Sequence, residues 1–61
     1  MILELEHIAS GIPKEVSVTE EEYRLLTGES VNGFNKGMES IINRGALPDD
    51  WDKHFFFERV Y

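Results

Sequence analysis

Apolar and acidic residues alternate from Ile2 to Ile8, with Leu3 and Leu5 on one side of the chain and Glu4 and Glu6 on the other. A period of two is the mark of a half-buried strand. Ala9 to Pro13, with Gly11 and Pro13 as breakers, reads as a loop. Lys14 to Val18 alternates again, Val16 and Val18 against Glu15 and Ser17. The two stretches predict a β-hairpin with a loop of about five residues.

At Thr19 the period changes. Thr19-Glu20-Glu21-Glu22 is a capping box, in which the Thr19 hydroxyl accepts from the Glu22 N–H and the Glu22 carboxylate accepts from the Thr19 N–H. Val18 and Tyr23 flank it at hydrophobic-staple spacing. Three glutamates in the first turn suit the positive end of the helix dipole. The spacing predicts a short helix with Tyr23, Leu25 and Leu26 on its buried face and Gly28 at its end. Ser30 is placed to cap a second helix, along which Val31, Phe34, Met38, Ile41 and Ile42 form one apolar stripe. Arg44 falls at its negative end and Gly45 at the C′ position. Leu47 to Trp51 reads as a turn or a single turn of helix, with Trp51 folded back on the core. His54 to Tyr61 is a strand by its aromatic content, and strict alternation puts Phe55, Phe57, Arg59 and Tyr61 on one face and His54, Phe56, Glu58 and Val60 on the other.

These elements predict an α+β fold, a single domain over residues 1–61 in the order strand-strand-helix-helix-strand. A small three-stranded, mostly antiparallel sheet packed on one face by two helices buries the stripes together. Leu3, Leu5, Val16, Val18, Phe34, Met38, Ile41, Ile42 and Trp51 are the expected core, and the order of strands in the sheet is left open. With helices on one side only, either Phe56 or the Phe55 and Phe57 pair remains on the open face, where an aromatic beside polar residues marks an interface.

Composition narrows the function. The chain of 61 residues has no cysteine, which excludes disulfides and thiolate metal sites, and its longest apolar run, Phe55-Phe56-Phe57, is far short of a membrane span. The start lacks the basic and apolar regions of a signal peptide, so the expected location is cytoplasmic. Twelve acids against six bases give a net charge of −6. Residues 1–29 hold seven acids and two bases, a balance of −5, and residues 30–61 five acids and four bases, a balance of −1. Such a surface repels nucleic acid and anionic lipid, and steers toward a basic protein.

No constellation points to catalysis. Asp49, Asp50, Asp52 and His54 are the densest group of metal-ligand types, but the paired histidines or cysteines of a strong site are missing, and capping of a turn accounts for them. Serines and threonines occur with His7 and His54 as bases, without a nucleophile elbow. Glu4 and Glu6 share a strand face, yet so short a chain can hardly enclose a pocket around them. Gly33 and Gly37, with Ser40, make a smooth strip on the second helix, either a surface for the backbone of a partner or second copy, or a site of close packing within the fold.

The expectation is therefore a non-enzymatic protein-binding domain with no cofactor, an inhibitor or regulator that occupies a basic surface of a larger protein, a nucleic-acid-binding surface being one such kind. Glu4, Glu6, Glu15, Glu20, Glu21 and Glu29 are the candidate contacts. A homodimer joined through Phe55, Phe57, Arg59 and Tyr61 of the aromatic last strand is also expected, and the alternative function is an oligomerising or adaptor module that uses this strand. In size, acidity, and lack of cysteine and catalytic motifs the chain is similar in style to the small proteins phages make against host machinery, including those that imitate the charge of DNA.

Overall fold

A computed structural model describes residues Met1–Tyr61. Strands β1 (Ile2–His7) and β2 (Pro13–Ser17) form the hairpin, followed by helices α1 (Glu20–Thr27), α2 (Val31–Asn43) and the single turn α3 (Trp51–His54), and then strand β3 (Phe55–Val60). The sheet order is β2-β1-β3, with both pairings antiparallel. The first strand is thus the central one, and its Leu3 and Leu5 are fully buried. The hairpin turns through a loop closed by the His7 N–H on Ile12 O (3.0 Å) and the Gly11 N–H on His7 O (2.7 Å). Gly11 has φ +70°, a left-handed conformation natural to glycine.

The helices cover the face carrying Leu3, Leu5, Val16 and Val18, and contribute Leu26, Met38 and Ile41 to the core. Phe34, Ile42 and Trp51, expected in the core, pack against it while only partly buried. Leu47, absent from the expected core, is buried in it, and Trp51 opens α3. Val31 heads the predicted stripe but is 75% exposed in the first turn of α2. The helix ends in a Schellman motif, with the Gly45 N–H on Ile42 O (2.9 Å), the Ala46 N–H on Ile41 O (3.1 Å), and Gly45 at φ +81°.

The glycine strip of α2 faces α1, which identifies the backbone that comes close. A Cβ at Gly37 would lie 3.1 Å from Leu25 Cβ and 3.2 Å from two Leu26 side-chain atoms, and one at Gly33 would lie 3.4 Å from Leu25 O. The helix-propensity cost of two glycines, about 1 kcal/mol each, is the condition for this close approach.

The helices are fastened to the hairpin by Glu22. Its side chain is 3% exposed. The capping box forms, with the Thr19 N–H on Glu22 Oε1 at 2.9 Å and the Glu22 N–H on Thr19 Oγ1 at 3.1 Å. Beyond it, α2 and its C-cap supply three more donors: Ser40 Oγ–H at 2.8 Å, and Arg44 through Nε at 3.1 Å and a terminal nitrogen at 3.0 Å. Arg44 also donates to Ser17 O at the end of β2 (2.6 Å). Hydrogen bonding from Arg44, reinforced by Thr19 and Ser40 and by the charge of Arg44, outweighs burial and lowers the Glu22 pKa from 4.5 to about 2.

Two outcomes are expected. Gly37→Leu drives α1 and α2 apart and destabilises by about 1–3 kcal/mol in denaturant unfolding, an overpacking effect; unchanged stability would show that the helices are not in this contact. A depressed folded-state pKa contributes stability that is present above pH 4.5 and lost as pH falls toward about 2, worth roughly 3 kcal/mol for Glu22. Thermal melts from pH 7 to pH 2 should show this loss in the native chain and a flatter profile, from a lower starting point, in Glu22→Gln.

Candidate binding surface

The face of the sheet away from the helices is covered by no element of the chain. Alternation along β1 and β2 brings Ile2, Glu4, Glu6, Pro13, Glu15 and Ser17 to it. Along β3 the alternation breaks. Glu4 pairs with Arg59 and Leu5 with Phe57, so Glu58 is the extra residue of a β-bulge. The bulge shifts the phase of the strand. Phe55, Phe57 and Val60 turn toward the helices, and Phe56, Arg59 and Tyr61 toward the open face. This corrects the strict alternation expected from the sequence, which grouped Phe55 and Phe57 with Arg59 and Tyr61. Phe55 and Val60 pack on the core, and Phe57 meets Phe34 edge-on at 5.4 Å between ring centroids. Phe56 is the phenylalanine left on the open side, 56% exposed.

Two acids of this face are tied to the last strand. Arg59 Nε donates to Glu4 Oε1 at 3.0 Å, and the Arg59 guanidinium lies 4.4 Å from the centre of the Tyr61 ring. Tyr61 reaches across β1 to donate its hydroxyl to Glu15 Oε2 at 3.0 Å. That bond, with some burial and the negative charges of Glu15 and Glu4, raises the Tyr61 pKa above its ordinary 10.0 against the opposing charge of Arg59. Glu6, opposite Phe56 in the register, has no hydrogen-bond or ion-pair partner within the chain.

The six candidate acids therefore divide. Glu4, Glu6 and Glu15 share the open sheet face. Glu20 and Glu21 lie in the first turn of α1, where Glu20 pairs with Arg24, and exposed Glu29 lies between α1 and α2. The sheet separates the first group from the helices carrying the second.

Other candidates resolve into structure. His7 Nδ1 is 2.8 Å from Ser10 Oγ, which also accepts from the Ile12 N–H, so the pair closes the hairpin loop. Asp50 and His54 meet at 3.1 Å across α3, both exposed, and no three acidic or histidine side chains are set to hold a metal ion. A groove of about 570 Å³ is lined by Lys36, Glu39, Ser40, Asn43 and Arg44. It has no apolar wall, and its Ser40 and Arg44 are committed to Glu22. No helix is long and apolar enough to cross a membrane.

No protein-family model, no curated protein and no solved structure matches the chain.

The tie between Tyr61 and Glu15 has a spectroscopic consequence. In an ultraviolet titration of the folded chain one phenol should ionise above its ordinary 10.0, and Glu15→Gln should bring it back toward that value. Superimposable titrations of the two proteins would mean that the bond does not persist in solution.

Proposed function

We propose that this domain is a non-catalytic binding module that inhibits or regulates a larger protein by occupying a basic surface on it, and that its open sheet face is the docking surface. One observation carries the reading: Phe56, more than half exposed, stands on a bare sheet face beside Glu6, with Glu4 and Glu15 on the same face. An aromatic within a charged rim is the composition of an interface centre. The net charge of −6 favours a basic partner through steering. Carboxylates held on a rigid sheet can stand where backbone phosphates would, so a nucleic-acid-binding surface is the kind most readily occupied. Glu20, Glu21 and Glu29, on the other layer, add to the long-range field without touching the partner.

Self-association through β3 is the second reading. Its support is the position of β3 at the sheet edge, where backbone groups are free to pair. The bulge at Glu58 interrupts that edge, however, and Pro13 and the helix-facing Lys14 blunt the opposite one. Both are devices that oppose strand addition, and they rank the face above the edge.

Co-purification from extracts of the source cells, at low and high salt, tests the proposal. Glu6→Lys with Glu15→Lys should lose a partner that the unmodified chain retains at low salt and releases at high salt, and nucleic acid should compete for that partner. Glu20→Lys with Glu21→Lys should keep it, associating more slowly. Retention by the first pair and loss by the second would move the surface to α1. Sedimentation equilibrium of the free chain should give a monomer; a concentration-dependent dimer would favour the edge.

A further inference from the structure

The open face contains the same chemical pairing twice. Near the end of β3, the Glu4 carboxylate and the Tyr61 ring share one cation, the Arg59 guanidinium, held by a 3.0 Å hydrogen bond and a 4.4 Å approach to the ring centre. On the other side of the bulge, Glu6 and Phe56 are direct cross-strand neighbours, again a carboxylate of β1 beside an aromatic ring of β3. Side chains so placed have Cβ atoms roughly 5 Å apart, within the span of one guanidinium. Both point away from the helices, and the ring is 56% exposed.

The chain supplies no cation to this second pair. Its six basic residues are all accounted for elsewhere. Arg59 is on Glu4, Arg44 on Glu22 and Arg24 on Glu20. Lys14 projects on the helix side of β2, opposite Leu5. Lys36 lies on α2 and Lys53 on α3. Ile8 and Pro13, both exposed, continue the apolar surface beyond Glu6 at the hairpin end.

We infer that Glu6 and Phe56 form a receptor for one arginine side chain of a protein partner, which lays its guanidinium on the Phe56 ring and donates to the Glu6 carboxylate, as Arg59 does with Tyr61 and Glu4. Arginine fits better than lysine, because a planar guanidinium stacks on the ring while its edge donates two parallel bonds to the carboxylate. The apolar stem of the incoming side chain covers Ile8 and Pro13. This inference rests on the proposal that the open face meets a basic partner, and it names the group that is recognised.

The probe is a short blocked peptide of alternating glycine and arginine with three arginines, titrated into the ¹⁵N-labelled chain at low salt and followed by amide chemical shifts. Control peptides carry lysine or uncharged citrulline in place of arginine. Shifts should concentrate at Glu6, Ile8 and Phe56, in the order arginine, then lysine, with citrulline silent. Phe56→Ala should weaken the arginine peptide about two- to fivefold, the range for an exposed cation–ring contact. Glu6→Gln should weaken it at least as much. Both positions are on the surface, so an unchanged spectrum of the uncomplexed variants verifies that they fold. Two results overturn the inference and separate its failure from that of the wider reading. Charge-dependent shifts on the open face that Phe56→Ala and Glu6→Gln leave unchanged would overturn the receptor and keep the face as the docking surface. Identical weak shifts with arginine and citrulline would remove the basic partner as well.

Discussion

The fold hangs on one carboxylate. Glu22 closes the cap of α1, and in the same position it accepts from Ser40 of α2 and Arg44 at its C-cap, while Arg44 reaches on to the last residue of β2. Strand, first helix and second helix are thereby joined at one buried point. A core of eight apolar side chains is small, and it gives the helices area to bury without fixing how they are rotated on the sheet. Directional bonds supply that information. An ionised group with 3% exposure is tolerable because every buried polar side-chain atom has a partner. Much of the acidity of the first half of the chain is thus available to the surface, but its one buried acid is matched internally.

The local half of this arrangement was readable from the residues. The capping box needs only four consecutive positions, and the hairpin needs only alternation around Gly11 and Pro13. The Schellman end of α2 follows from Gly45. Features that depend on distant partners were not. Nothing near Glu22 announces Arg44, which is a helix-terminal cation by position and a core ligand by tertiary placement. Leu47 lies in a short turn whose period is too brief to tell inward from outward positions, whereas Leu26 falls on the buried face expected of α1. Val31 obeys the helical period but is exposed at the very start of α2.

The surface was harder to read than the core, and the reason is one residue. A two-residue period is exact only while every residue pairs, and Glu58 does not. The extra residue reverses the sense of everything after it, so Arg59 and Tyr61 join Glu4 and Glu15 rather than the helices. Aromatic richness on both phases of β3 concealed the shift, since either assignment leaves phenylalanine inside and outside. Composition carries no information about which side of a sheet the acids occupy. Alternation against Leu3, Leu5 and Val16 supplies it, and puts Glu4, Glu6 and Glu15 on the face away from the helices.

The central place of β1 also governs the order in which the molecule can assemble. One edge of β1 can zip to β2 as soon as the hairpin has been synthesised, a local and rapid event. Its other edge pairs with β3, whose residues lie roughly fifty positions later, with the backbone of Ile2 bonded in both directions to that of Tyr61. Until then Leu3 and Leu5 belong to an open hairpin, which is marginal by itself in water. A chain emerging from the ribosome would therefore hold its most buried strand half paired until β3 has emerged, and the closing step is long-range and slow in character. The blunted sheet edges then have a second use: during that interval they discourage unfinished neighbours from pairing with one another.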